Sequence, residues 1–140
     1  MRSILIFSGI ILSCSSYHTL VEARKLANQG DVDKSAKLYI KYIESLPEND
    51  SIRVYYTLEL CDTYIKHDKL SEALICLRKL KHRKDDSALI APRIKTLSEL
   101  VCQRQGYEPT LNILSEFLEL DPEYMEGITD EVLKRCLQKR

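Results

Sequence analysis

The sequence contains no tryptophan and only four glycines and four prolines among its 140 residues. Glycine and proline are the residues that most often form turns, so their scarcity disfavours a fold of many short strands. The chain also has no excess of one charge, since 21 Lys and Arg balance 21 Asp and Glu. A strongly basic surface for nucleic acid is therefore not expected. With 44% hydrophobic residues, the composition predicts one folded, mainly helical domain.

Motifs that carry catalysis or bind metals are also missing from the sequence. There is no glycine-rich phosphate-binding loop, and neither Cys-x-x-Cys nor His-x-x-x-His spacing occurs. The three histidines, His18, His67 and His82, are far apart, which is typical of surface residues rather than metal ligands. We therefore expect no enzymatic activity, no metal, no cofactor and no small-molecule substrate.

The longest apolar run, Ile4 to Leu12, is too short to cross a membrane as a helix. It follows Arg2 and precedes small residues, which is the order of a secretory signal. The segment Ile11-Leu12-Ser13-Cys14 resembles the lipobox of bacterial lipoproteins. The resemblance implies a signal peptide at 1–13, a lipid on Cys14 and a short linker at 14–16. The alternative is a short buried N-terminal helix with an ordinary core cysteine.

Three later segments share one pattern, at intervals of 38 and 37 residues. In each segment a polar turn precedes an apolar residue, a mostly small residue follows three positions later, and a large apolar residue follows four positions after that. Another helical stripe lies upstream of each turn, so the pattern predicts three helix hairpins, with small residues where the helices approach closely. The aligned residues are Val32, Leu70 and Tyr107, then Ser35, Ala73 and Thr110, then Tyr39, Leu77 and Leu114.

The segments "GDVDKSAKLY", "DKLSEALICL" and "SEFLELDP" resemble the tetratricopeptide repeat (TPR). The resemblance covers residues 17–123 and implies an all-α fold, a short α-solenoid of about three TPR-like hairpins. A C-terminal capping helix is expected at 124–140. The period is longer than the usual ~34 residues. Glu22 stands where the family prefers leucine, and the second repeat lacks a terminal proline.

Glycines and prolines predict several helix boundaries. Gly30 and Asp31 are typical of a helix end followed by a helix start, and Pro109 is tolerated in the first turn of a helix. Pro92 predicts a helix that begins no earlier than about Ile90 or is kinked. The last helix is expected at Thr129 to Lys139. Its predicted apolar side consists of Val132, Leu133, Cys136 and Leu137.

Four cysteines and one basic run allow alternative interpretations. Because Cys61 takes a small-residue position and Cys102 and Cys136 fall on helical stripes, we interpret these three and Cys76 as buried thiols. Disulfides are the alternative, and the sequence does not determine their pairing. The run "RKLKHRK" at 78–84 is consistent with favourable charge at a helix C-terminus, and alternatively with contact to lipid headgroups or an acidic partner.

The TPR resemblance implies a concave surface lined by the first helix of each hairpin. This surface is expected to bind an extended or helical segment of another protein. The alternative is that Tyr55, Leu58 and Ile65 pack between repeats. The predicted partner-binding residues are Tyr55, Leu58, Asp62, Ile65 and Lys66, with Arg24 and Asn28 in the first hairpin and Lys95, Glu99 and Gln103 in the third.

Together these features predict a lipid-anchored scaffold of the bacterial cell envelope. The chain is expected to face the periplasm, from the inner or the outer membrane, and to bind an envelope protein or peptide segment. Lipoproteins of similar build act as pilotins or as accessories of envelope assembly. The alternatives are a regulatory subunit of an envelope enzyme and a cytosolic TPR adaptor without lipid.

Overall fold

The computed structural model describes residues 17–48 and 51–138. Within them the chain forms seven α-helices, two short 3-10 helices and no strand, which confirms the all-α prediction. The predicted signal peptide and Cys14 lie outside the described residues. The α-helices are α1 (17–28), α2 (Val32–Glu44), α3 (Ser51–Lys66), α4 (Leu70–Arg78), α5 (Ser87–Gln105), α6 (Tyr107–Glu116) and α7 (Pro122–Gln138), and the 3-10 helices are Lys84–Asp86 and Leu118–Leu120.

The chain divides into two compact units, and the boundary falls between Thr63 and Tyr64, within α3. The first unit contains α1, α2 and most of α3. Its core is formed mainly by aliphatic and tyrosine side chains, including Leu20, Ala23, Tyr39, Val54 and Leu60. The second unit contains α4 to α7, and α5 packs against α4, α6 and α7. Its core includes Leu77, Ile94, Leu97, Phe117 and Met125.

The second helices of the three predicted hairpins begin where the repeat pattern placed them. The helices α2, α4 and α6 start at Val32, Leu70 and Tyr107. Before α2, Gly30 adopts φ 84°, and the Asp31 carboxylate accepts a hydrogen bond from the Lys34 amide at 3.4 Å. Gly30 therefore ends one helix and Asp31 caps the next, as predicted.

The small residues of the repeat pattern are fully buried. Ser35, Ala73 and Thr110 each have 0% of their surface exposed. The Ser35 hydroxyl donates to the Ala23 carbonyl of α1 at 2.6 Å, so α1 and α2 approach closely at this position. The Thr110 hydroxyl donates to the Gly106 carbonyl in its own first turn at 2.7 Å. A larger side chain at any of these positions has no room.

Two proline-based boundary predictions are wrong in part. The helix α5 begins at Ser87, earlier than the limit near Ile90, and Pro92 is its sixth residue. The last helix begins at Pro122 rather than Thr129, so α7 includes the end of the segment assigned to the repeats. Proline is favoured at the first position of a helix, because an N–H at that position would have no hydrogen-bond partner within the helix. The prediction for Pro109 is confirmed, because it lies in the first turn of α6.

The buried side of α7 also differs from the prediction. Met125, Ile128, Val132 and Cys136 are buried, at spacings of three and four residues. This spacing forms a single helical stripe. Leu137, predicted on the same side, is 53% exposed.

The interpretation of the cysteines as free thiols is wrong. Cys102 of α5 and Cys136 of α7 form a disulfide, with their Cα atoms 5.8 Å apart. Cys61 and Cys76 are also disulfide-bonded. The disulfide between Cys102 and Cys136 closes a loop with a sequence separation of 34 residues. It therefore fixes α7 to α5 covalently.

Candidate partner-binding site

The five predicted partner-binding residues of α3 lie on one face of the helix, in two neighbouring stripes. At 100° per residue, Tyr55, Asp62 and Lys66 fall on one stripe, and Leu58 and Ile65 fall on a neighbouring one. Tyr55 is 61% exposed and Lys66 is exposed, but Leu58 is only 3% exposed. Asp62 and Ile65 are half-buried. Leu58 is therefore a core residue and does not offer its side chain to a partner.

An ion pair joins the exposed stripe of α3 to α1. The Arg24 guanidinium donates to both carboxylate oxygens of Glu59, at 3.0 Å from Nε and 2.8 Å from Nη2. These hydrogen bonds raise the pKa of Arg24 above its ordinary value. A bidentate pair of this kind fixes both direction and distance. It therefore holds the two helices in one register.

The hydroxyl of Tyr39, a core residue of α2, also stabilises the Glu59 carboxylate. Burial opposes ionisation of Glu59, but the hydrogen bonds from Arg24 and Tyr39 outweigh burial and lower its pKa. Burial, followed by the hydrogen bond to Glu59, raises the pKa of Tyr39 to about 12. Glu59 is therefore ionised at neutral pH, and its carboxylate links α1 to α3.

Three tyrosine rings continue this network toward the surface. Tyr42 and Tyr56 pack edge to face, with ring centroids 4.9 Å apart, and Tyr55 and Tyr56 do the same at 5.2 Å. The Arg24 guanidinium lies 6.0 Å from the Tyr56 ring centre, a cation–π distance. Burial and a hydrogen bond to Tyr56 raise the pKa of Tyr42. The exposed Tyr55 ring therefore packs against Tyr56, which in turn contacts Tyr42 and Arg24.

The exposed large apolar side chains of the first unit all belong to α1 and α3. Among its described residues they are Tyr17, Val21, Ile52 and Tyr55, with 58%, 45%, 49% and 61% of their surface exposed. On α1, Tyr17, Val21 and Arg24 follow a helical i, i+4, i+7 spacing. We name these four residues, together with the Arg24–Glu59 pair, the α1–α3 surface.

Sequence reasoning found only Tyr55 and Arg24 of this surface. Tyr17, Val21 and Ile52 were missed, although the i, i+4, i+7 spacing on α1 already placed Tyr17 and Val21 beside Arg24. Glu59 is not among the predicted binding residues. Its partner lies 35 residues away in the sequence, so helical spacing within α3 does not identify the pair.

In the second unit, two predicted binding residues of α5 form ion pairs with α7. Lys95 lies 3.1 Å from the Glu131 carboxylate, and Glu99 lies 3.8 Å from Arg135. The hydrogen bond from Lys95 lowers the pKa of Glu131. Together with the Cys102–Cys136 disulfide, these pairs hold α7 along the side of α5 that was predicted to bind a partner. These α5 residues therefore contribute to internal packing.

Beside these pairs, the structure has an open cavity of about 590 Å³. Three carboxylates, Asp121, Glu123 and Glu131, line it together with Lys95, Tyr124 and Ile128. Within the described part of the chain, no group of three or more His, Cys, Asp or Glu side chains is arranged to hold a metal ion. None of the helices at 17–48 and 51–138 is long and apolar enough to span a membrane.

No family model, curated protein or solved structure matches this chain.

Proposed function

We propose that the protein is a lipid-anchored scaffold of the bacterial cell envelope that binds a segment of another envelope protein through the α1–α3 surface. The observation that carries this proposal is the exposure of Tyr17, Val21, Ile52 and Tyr55 on two helices joined by the Arg24–Glu59 pair. Exposed apolar groups clustered on one surface usually mark a binding site. Tyrosine is also enriched among residues that dominate binding energy.

The proposed architecture is a short solenoid of three TPR-like hairpins, with α7 as the capping helix. Two observations support it. The helices α2, α4 and α6 begin at intervals of 38 and 37 residues, and a fully buried small residue follows each start by three positions. Equivalent positions with equivalent burial are expected of a structural repeat.

The proposed anchor is a lipid on Cys14, added after removal of residues 1–13. The order of Arg2, the apolar run and Ser13-Cys14 supports it. The disulfide between Cys102 and Cys136 favours an oxidising compartment such as the periplasm over the cytosol. It thereby favours the envelope scaffold over a cytosolic adaptor.

The chemistry of the α1–α3 surface defines the kind of segment that it binds. Arg24 and Glu59 neutralise each other, so the surface carries exposed tyrosine and aliphatic groups around an internally paired charge. An acidic or basic peptide gains little binding free energy from such a surface, because its charges find no unpaired opposite charge there. A segment with apolar side chains gains the most binding free energy, because it buries the exposed apolar side chains of the α1–α3 surface, including Tyr55.

The test is a pull-down from detergent-solubilised envelopes with the wild-type chain, a Tyr55→Ala variant and a Tyr124→Ala control. Tyr124 is 50% exposed and lies on α7, so the control removes a similar side chain from another surface. We expect Tyr55→Ala to weaken capture of the partner by about thirtyfold, corresponding to ~2 kcal/mol, with no change in helical circular dichroism. Equal capture by all three chains would contradict the assignment of the α1–α3 surface.

A further inference from the structure

The segment that joins α4 to α5 carries positive charge that the chain does not neutralise. Arg78 forms two hydrogen bonds with Glu116, at 2.7 and 2.9 Å, and Arg83 pairs with Asp86 at 3.0 Å. Lys79, Lys81 and Lys84 have no ion pair with any described residue, and Lys79 and Lys84 are exposed. Asp85 is an exposed carboxylate in the same segment. Three free lysines therefore remain in a stretch of six residues.

Two exposed aliphatic side chains precede and follow these lysines in the sequence. Ile75 of α4 is 56% exposed, and Leu89 of α5 is 51% exposed. Ile75 lies three residues before the end of α4, and Leu89 is the third residue of α5, so both lie within about one helical turn of the connecting segment. Leu80 is 6% exposed and fixes the connection against the core. We name Ile75, Lys79, Lys81, Lys84 and Leu89 the basic patch.

We infer that the basic patch binds the surface of an anionic lipid bilayer. The lysine ammonium groups neutralise lipid phosphates, while Ile75 and Leu89 enter the boundary between headgroups and acyl chains. Lysine acts as a flexible point charge and needs no fixed geometry in its anion. The two arginines, which suit the bidentate recognition of carboxylates on a protein, are already engaged by Glu116 and Asp86. A membrane therefore fits the patch better than an acidic protein does.

This inference rests on the proposed membrane location, but its test does not require the lipid on Cys14. The full chain with Cys14→Ser is mixed with vesicles of phosphatidylcholine alone or with added phosphatidylglycerol, and the bound fraction is measured by sedimentation. The apolar run Ile4 to Leu12 is present in every variant, so any contribution that it makes to vesicle binding is the same in all of them. We expect binding to be stronger to vesicles that contain phosphatidylglycerol than to phosphatidylcholine alone, and this increase to shrink as salt concentration rises.

The decisive comparison uses two triple variants with the same change in net charge. Lys79→Gln, Lys81→Gln and Lys84→Gln together should weaken binding to phosphatidylglycerol vesicles by tenfold or more. The matched control is Lys25→Gln, Lys37→Gln and Lys41→Gln, which removes three exposed lysines of the first unit and should leave binding within about twofold of wild type. Circular dichroism shows that both variants remain folded.

A second variant tests the apolar part of the patch without changing charge. Ile75→Ser with Leu89→Ser should weaken binding several-fold, whereas Leu137→Ser, at another exposed leucine, should not. Absence of binding to phosphatidylglycerol vesicles, or equal loss in the two lysine variants, would overturn the inference. Neither result bears on lipidation of Cys14 or on the Tyr55 pull-down.

Discussion

Arg24 of α1 and Glu59 of α3 form a bidentate ion pair, with hydrogen bonds of 3.0 and 2.8 Å, across 35 residues of sequence. The buried Tyr39 hydroxyl also stabilises the Glu59 carboxylate. The pair connects α1 to α3. It is part of the surface that we propose for partner binding.

This pair predicts a specific dependence of stability on pH. The pKa of Glu59 is lower in the folded chain than its ordinary value of 4.5, so folding favours the ionised carboxylate. The stabilisation is fully present above pH ~5 and is lost as pH falls through the folded pKa. Glu59→Gln should destabilise the chain by about 1 kcal/mol at pH 7.

The measurement is the free energy of unfolding in urea at pH 7 and at pH 3.5, for wild type and Glu59→Gln. We expect the difference between the two chains to shrink at the lower pH, because pH 3.5 lies below the ordinary pKa of 4.5 and the glutamate of the unfolded wild type is then largely protonated. A difference that is equal at both pH values would contradict the proposed role of the ionised pair. Glu22→Gln, at an exposed carboxylate of α1, is the control for a general change of charge.

The disulfide between Cys102 and Cys136 should contribute strongly to stability. Closing a loop of this length restricts the unfolded chain, and the chain-entropy estimate is roughly 3 to 4 kcal/mol. Cys102→Ala with Cys136→Ala should lower the free energy of unfolding by that amount. Mass spectrometry of a non-reduced digest checks the pairing itself. Recovery of both peptides as free thiols from protein isolated under oxidising conditions would show that the pairing is wrong.

Loss of the hydroxyl should have different effects on the free energy of unfolding at two buried serines, Ser35 and Ser98. The Ser35 hydroxyl donates to the Ala23 carbonyl, so Ser35→Ala leaves this buried acceptor without that hydrogen bond and should destabilise by about 1 to 3 kcal/mol. The buried Ser98 hydroxyl has no hydrogen-bond partner among the described residues. Ser98→Ala should therefore be neutral or stabilise by about 1 kcal/mol. Thermal unfolding of the two variants compares them directly, and equal destabilisation contradicts the assigned hydrogen bonding.

Two glycines provide a similar pair of opposite predictions. Gly127 lies within α7, and a Cβ atom added there meets no atom within 4 Å. Gly127→Ala should stabilise by about 0.5 to 1 kcal/mol, because alanine loses less backbone entropy in a helix. Gly30 has a φ of 84°, so Gly30→Ala should destabilise by about 1 to 2 kcal/mol although space is available. A melting temperature that falls for Gly127→Ala would contradict the placement of this residue in α7.

The sequence predicted the helix starts well where local chemistry determines them. A polar turn followed by an apolar residue located the starts of α2, α4 and α6, and Asp31 supplies its own capping group. The early start of α7 was missed because Pro122 closes the segment "SEFLELDP", which resembles the end of a tetratricopeptide repeat. Proline suits the residue after a helix as well as the first position of the next one, so this local signal was ambiguous.

The candidate site was harder to predict because it depends on contacts between distant segments. Helical spacing places Tyr55 and Leu58, three residues apart, on the same face of α3, and it does not determine that Leu58 is covered and Tyr55 exposed. The Arg24–Glu59 pair and the Cys102–Cys136 disulfide depend on how helices pack, and the sequence contains no local signal for either pairing. The sequence therefore predicted the helices but not the exposed surface that they form.

The proposed lipid anchor is tested most directly by metabolic labelling of the full chain with a radioactive or clickable palmitate in a Gram-negative bacterium. Wild type should take up the label and fractionate with membranes, and intact-mass analysis should show a chain that begins at Cys14 with an added lipid. Cys14→Ala should take up no label, because the acceptor sulfur is missing. An unlabelled wild-type chain that still carries residues 1–13 would contradict the account.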